Sequence, residues 1–147
     1  MSSFGFKGGP VLTLDGKGRI TVPSRWRDVL MSAVAGQLMV SKSHVRCLSL
    51  FPRPVWDQFE DRLNALPASA DGLRRLYIGS ATEAVIDGAS RVLLPPELRT
   101  WAGLEREVVF MGLGNRFELW DKARYDAHEA AVLEQDMSSQ LDTLFIG

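Results

Sequence analysis

The chain repeats itself. Asp15-Gly-Lys-Gly-Arg19-Ile-Thr-Val-Pro23 returns as Asp87-Gly-Ala-Ser-Arg91-Val-Leu-Leu-Pro95, a shift of 72 that takes position 15 to position 87. The same shift carries Arg27 onto Arg99, and the apolar residues follow: Ile20 to Val92, Val22 to Leu94, Trp26 to Leu98 and Val29 to Trp101. A slightly shorter offset aligns Leu38-Met-Val40 with Val108-Val-Phe110, Leu50-Phe51 with Leu119-Trp120, and Trp56 with Tyr125. Two copies are too few for a solenoid, which needs about three stacked units to bury its core. In a chain of 147 residues, about one domain's length, they predict a single pseudo-symmetric body built from two halves.

Each half reads the same way. A strand at Val11–Leu14 meets an Asp- and Gly-rich turn and then a second strand, Arg19–Val22. There Ile20 and Val22 face one side and Arg19 and Thr21 the other, the period-2 pattern of a strand with one wet face. Pro23 suits the first turn of a helix, where its missing N–H is no loss. Trp26, Val29, Leu30 and Ala33 then predict one apolar helical stripe, ended by Gly36. Strands around Leu38–Val40 and Cys47–Phe51 form a hairpin. The second half repeats the order with Arg91–Leu94, a short helix through Leu98 and Trp101, Gly103, then Val108–Met111 and Arg116–Trp120. Between the halves, Pro54 opens a helix with Trp56, Phe59, Leu63 and Leu66 on one face. Pro67 to Gly72 breaks it, and Leu73–Ser80 starts another. After Trp120 a single long acidic helix is expected, with the tail from Leu141 to Gly147 either fraying or docking on a neighbour.

The turn carries the chemistry. Asp at the head of such a turn accepts hydrogen bonds from main-chain N–H groups two or more residues on, and glycines supply positive φ without steric cost. The following Arg projects from the wet face of the strand. One isolated copy would read as an Asp–Arg pair closing a hairpin; the repetition of exposed charged residues in both halves points to more than packing. The net charge is −1, so the whole chain has no cationic bias. Locally, however, Lys17, Arg19, Arg25 and Arg27 stand against Asp15 alone, while Asp121, Asp126, Glu129, Glu134, Asp136 and Asp142 outweigh Lys122 and Arg124 near the C-terminus. A basic face opposite an acidic one is the footprint of a phosphate-backbone binder, and Arg reads guanine in the major groove.

With these turns, Cys47-Leu-Ser-Leu-Phe-Pro52 followed by Trp56, Ile78-Gly-Ser-Ala81, and Gly114-Asn-Arg-Phe-Glu-Leu-Trp120, the chain resembles the MraZ family from Phe6 to about Leu133. These are bacterial regulators built from two SpoVT/AbrB-like repeats. The resemblance implies an α+β, mainly β fold in which both halves interleave into a swapped-hairpin AbrB-like β-barrel with flanking helices. It divides the chain into a first repeat at 9–56, a helical linker at 57–84, a second repeat at 85–128, and a C-terminal helix and tail at 129–147. It further implies ring-shaped homo-oligomers, octamers or dodecamers. These would bind double-stranded DNA at tandem direct repeats in the protein's own promoter and repress the division and cell-wall gene cluster, in the cytoplasm at the nucleoid. On this chain the DNA-binding set is Lys17, Arg19, Arg91, Arg25 and Arg27, and the turns are shaped by Asp15, Gly16, Gly18, Asp87 and Gly88. The second turn departs from the family in one place. Ser90 stands where the first copy has Gly18; if that position needs φ > 0, Ser costs of order 1 kcal/mol and re-aims Arg91. Ala89 in place of Lys17 also makes it less basic.

Other function classes find little support. No Gly-x4-Gly-Lys-Ser/Thr, His-Glu-x-x-His or Gly-x-Ser-x-Gly occurs, and Gly112-Leu-Gly114 lies between two strands, the wrong context for a dinucleotide site. His44 and His128 fall outside ligand spacing, so no metal or cofactor is expected. Lone Cys47 among leucines reads as a small core residue, and one cysteine suits a reducing cytoplasm. No apolar run reaches the length of a membrane span, and the opening Met1-Ser-Ser-Phe-Gly-Phe-Lys does not read as a signal peptide. The remaining rivals share the fold: an antitoxin-like protein-interaction module, or a structural ring that binds no DNA.

Overall fold

The computed structural model describes residues 4–145; Met1–Ser3 and the last two residues of the tail lie outside the described residues. Among the described residues the order is β1 (Phe6–Gly8), β2 (Val11–Thr13), β3 (Arg19–Thr21), α1 (Ser24–Val34), β4 (Gln37–Lys42), β5 (Leu48–Pro52) and α2 (Arg53–Asn64). A 3-10 turn at Ala68–Ala70 leads to α3 (Asp71–Tyr77), β6 (Thr82–Val85), β7 (Arg91–Leu93), α4 (Pro96–Ala102), β8 (Glu107–Gly114), β9 (Phe117–Asp121), α5 (Lys122–Leu133) and α6 (Ser138–Phe145). The fold is α+β with antiparallel sheets and a doubled order of elements. No described helix is long and apolar enough to cross a membrane.

The strands cross between halves. One sheet runs β1-β8-β9-β5-β4-β6, with β2 also on β8. β1 and β2 follow each other along one edge of β8, Phe6 opposite Gly114 and Val11 opposite Val109, and between them the Pro10 carbonyl accepts the Phe110 N–H at 3.0 Å. The counterpart of β2 is β6, a strand the sequence reading did not name; it pairs with β4, Met39 opposite Glu83. The two hairpins join through β5 and β9, Ser49 opposite Glu118. The Asp-headed turn does not close a ladder between its own two strands, because β2 goes to β8 while β3 pairs with β7. Each turn instead receives the other half: Leu94 donates its N–H to Gly18 O at 2.9 Å, and Val22 donates to Ser90 O at 2.8 Å.

Ile20 and Val92 face each other across the β3–β7 ribbon, fully buried, at the centre of a core that takes in Trp26, Leu30, Leu94, Phe110 and Phe117. Burying each such side chain stabilises by about 1.5–3 kcal/mol. Pro23 lies one place earlier than expected, at the N-cap of α1. The helix turns Trp26, Leu30, Met31 and Val34 toward the core and leaves Val29 and Ala33 exposed, so the apolar face is rotated from the expected stripe. That rotation follows from the short Pro23 link, which ties the helix start to β3.

The other face of the sheet carries α2 and α3, over a cluster of Met39, Phe51, Trp56, Leu63 and Tyr77. Leu66, expected on that face, is exposed, because α2 ends at Asn64. The Pro67–Gly72 break is a 3-10 turn, and α3 starts at Asp71, ahead of the expected Leu73. Arg74 reaches back to the end of α2, donating to the carbonyls of Leu63, Leu66 and Pro67. The long C-terminal helix is two helices. Asp136 Oδ1 accepts the Ser138 N–H at 3.0 Å, a capping contact that starts α6 afresh.

Candidate nucleic-acid interface

Asp15 organises the first turn with both oxygens. Its Oδ1 accepts the N–H groups of Lys17 and Arg19, each at 2.9 Å, and its Oδ2 accepts Arg19 Nε at 2.8 Å. The Arg19 main-chain N–H above all, with the guanidinium and the Lys17 N–H, holds the Asp15 carboxyl down at about 2. Asp87 repeats the main-chain half of this arrangement, with Ala89 and Arg91 N–H at 2.9 Å. Its carboxyl is likewise lowered, chiefly by the Arg91 N–H. The side-chain half is looser: Arg91 Nε lies 3.3 Å from Asp87 Oδ2 and is buried without a hydrogen-bond partner among the described residues.

The position before each Arg is left-handed, φ 82 at Gly18 and φ 65 at Ser90. Gly16 and Gly88, in contrast, have no positive φ, and a Cβ on either would meet open space. Only the fourth residue of the turn therefore takes the left-handed conformation that favours glycine. At Gly18 there is a second reason: a Cβ would sit 2.3 Å from the guanidinium carbon of Arg99. Arg99 lies across this turn and donates Nε to Leu94 O at 3.1 Å. Its repeat counterpart Arg27 makes no such bond beside Ser90; Arg27 Nε is buried without a partner and Nη1 turns to Asp28 at 3.3 Å.

The β3–β7 register puts Arg19 opposite Leu93 and Thr21 opposite Arg91. These four alternate with buried Ile20 and Val92, so both arginines emerge on one face of a two-stranded ribbon, diagonal neighbours with Cα atoms about 7–8 Å apart. Lys17 is exposed on the first turn. Arg25 packs its guanidinium over the Trp26 ring at 4.7 Å, and Arg27 is tied to Asp28, so neither extends the ribbon face as freely as Lys17 does. Sequence reasoning missed two residues here. Arg99 appeared only as the match of Arg27, with nothing local to place it on the opposite half's turn. Leu93, 58% exposed at the end of β7 opposite Arg19, was signalled by its alternation with Val92. Away from the ribbon, Cys47 is fully buried and burial pushes its thiol up. His44 Nδ1 is 2.8 Å from the Tyr77 hydroxyl, and His128 lies against the Trp120 ring.

A family profile described as "MraZ protein, putative antitoxin-like" matches residues 6–76 and again 77–146. The chain belongs to the MraZ family. Its doubled match has the periodicity of the two Asp-headed turns. MraZ relatives run nearly the full length. The "Transcriptional regulator MraZ" of Methylibium petroleiphilum is 48% identical over 141 residues, 96% of this chain and 97% of that one. That of Leptothrix cholodnii is 48% identical over the same shares, and that of an Acidovorax species is 47% identical over 132 residues, 90% and 93%.

Proposed function

We propose that this MraZ-family chain is a sequence-specific DNA-binding regulator of transcription, acting in the cytoplasm at the nucleoid, and that the β3–β7 ribbon is its reading edge. One observation carries this: two Asp-clamped arginines from distant parts of the chain share one exposed face. The relatives' name, transcriptional regulator, supports the same reading. A two-stranded ribbon is narrow enough for the major groove, where Arg pairs with guanine and an apolar group meets the thymine methyl. Arg19 and Arg91 supply the first, Leu93 the second, and Lys17 neutralises phosphate. The regulator represses its own division and cell-wall cluster through tandem direct repeats bound by a ring of copies, an octamer or dodecamer.

The test is a titration of the protein against DNA upstream of its own gene. Each phosphate neutralised contributes about −0.9 to the slope of log K against log salt, and random duplex binds more weakly. Arg19→Ala costs about 1–3 kcal/mol of discrimination and Arg91→Ala less, because Asp87 holds Arg91 more loosely. Equal losses refute the asymmetry. A salt-independent affinity, or none for the upstream DNA, moves the reading to a protein-interaction module of antitoxin type.

A further inference from the structure

The two halves differ most at their ends. Leu76-Tyr77-Ile78-Gly79 in the first half returns as Leu144-Phe145-Ile146-Gly147 in the second. In the first half this segment is seated: α3 folds back on α2, Tyr77 is 8% exposed, and its ring meets Phe59 edge-on at 5.2 Å. In the second half Leu144 and Phe145, the described residues of the segment, have no such seat. Leu141, Leu144 and Phe145 are 44, 75 and 79% exposed, and no residue of α6 is buried. With Met137 they recur at i, i+4, i+7 and i+8, one apolar face of a helix. The segment is also acidic: from Tyr125 onward come Asp126, Glu129, Glu134, Asp136 and Asp142 and no lysine or arginine.

A matching receptor lies beside the seated copy. A groove of about 370 Å³ runs over the middle strands, between α2 and the β8–β9 turn, floored by Phe51, Phe59 and Val55 and ending at Tyr77. Arg62 and Arg116 stand at it, and neither forms an ion pair among the described residues. The groove's carboxylate, Glu118, is engaged by the Trp120 indole N–H at 2.9 Å. Apolar floor and cationic rim complement α6 in both respects.

We infer that α6 of one copy docks in this groove of the next, with Phe145 beside the neighbour's Tyr77 and Asp142 toward Arg62 and Arg116. The inference rests on the self-association proposed above and names the contact that produces it. Helix and groove are different surfaces, so the contact is heterologous and propagates from copy to copy, into a ring where the rotation closes and a filament where it does not.

Full-length protein is tested by sedimentation and by cysteine pairing. Phe145→Asp, with unchanged circular dichroism, raises the concentration at which the assembly dissociates at least tenfold. Asp142→Arg and Arg116→Glu each weaken assembly, and together they recover it. A Leu144→Cys chain mixed with a Gln58→Cys chain forms disulfide-linked dimers on oxidation, whereas the double-cysteine chain forms a ladder. An internal disulfide without a ladder overturns the inference in favour of α6 folding onto its own groove. An assembly indifferent to Phe145→Asp, with no cross-link, overturns this contact while leaving self-association standing. A wild-type chain monomeric at every concentration overturns both.

Discussion

Asp15 binds its turn more tightly in the ionised form, and that has a direction in pH. Because the folded state lowers its carboxyl to about 2, its contribution is complete above the ordinary carboxylate value of 3.8 and disappears as pH falls through about 2. Carbon NMR of the side chain should show Asp15 titrating near 2, and Asp15→Asn should make the loss of stability between about pH 4 and pH 2 shallower. A titration near 3.8 would mean that the clamp is absent in solution. Ser90 holds φ 65 with a side chain that gains nothing from it. Ser90→Gly should therefore raise stability by about 1 kcal/mol in a urea melt. Gly18→Ala should lower it by about 1–2 kcal/mol, since its Cβ also displaces the Arg99 guanidinium. The need for positive φ was legible only as a condition, because Ser90 in the second copy speaks against what Gly18 suggests in the first. The idle role of Gly16 and Gly88 was not, because a glycine in a turn looks the same whether or not it uses its freedom.

At the scale of elements, the α2–α3 pair depends on Arg74. Its guanidinium donates to the carbonyl of Leu63 in the last turn of α2 and to those of Leu66 and Pro67 just beyond it, and its charge lies where the helix dipole is negative. Arg74→Met should cost about 1.5–3 kcal/mol, the range for hydrogen bonds from a charged group. Urea denaturation measures it; a loss under about 0.5 kcal/mol would show that water replaces the cap. Element existence was largely legible: period-2 alternation marked β3 and β7, and prolines marked the starts of α1, α2 and α4. Pairing was not. Alternation in Arg19-Ile20-Thr21 says that one face is wet but carries no information about which strand lies alongside, and the true partner is some seventy residues away. The break between α5 and α6 was missed because Asp136 counted as one more acid in a helix when it is the residue that restarts one.

At the scale of the molecule, the proposed function makes one ribbon a small reading surface, so that tight binding would come from several held at fixed spacing. Linked engagement raises apparent affinity about 10²- to 10⁴-fold when geometry permits. Inserting about five base pairs between two boxes, half a helical turn, should then weaken binding sharply, and about ten should weaken it less. Titrations at constant salt decide it: equal affinity for one box and two removes the assembly from the mechanism. The crossing of strands has a consequence of a different kind, for synthesis. While the first half leaves the ribosome, β2 and β3 have nothing to pair with, and β5 waits for β9, which ends at Asp121. At about 5–20 residues per second, the interval between Pro52 and Asp121 lasts roughly 3–14 s, during which the buried strand β5 sits with one edge open. Cutting the gene between the repeats should accordingly yield two fragments that fold only in each other's presence.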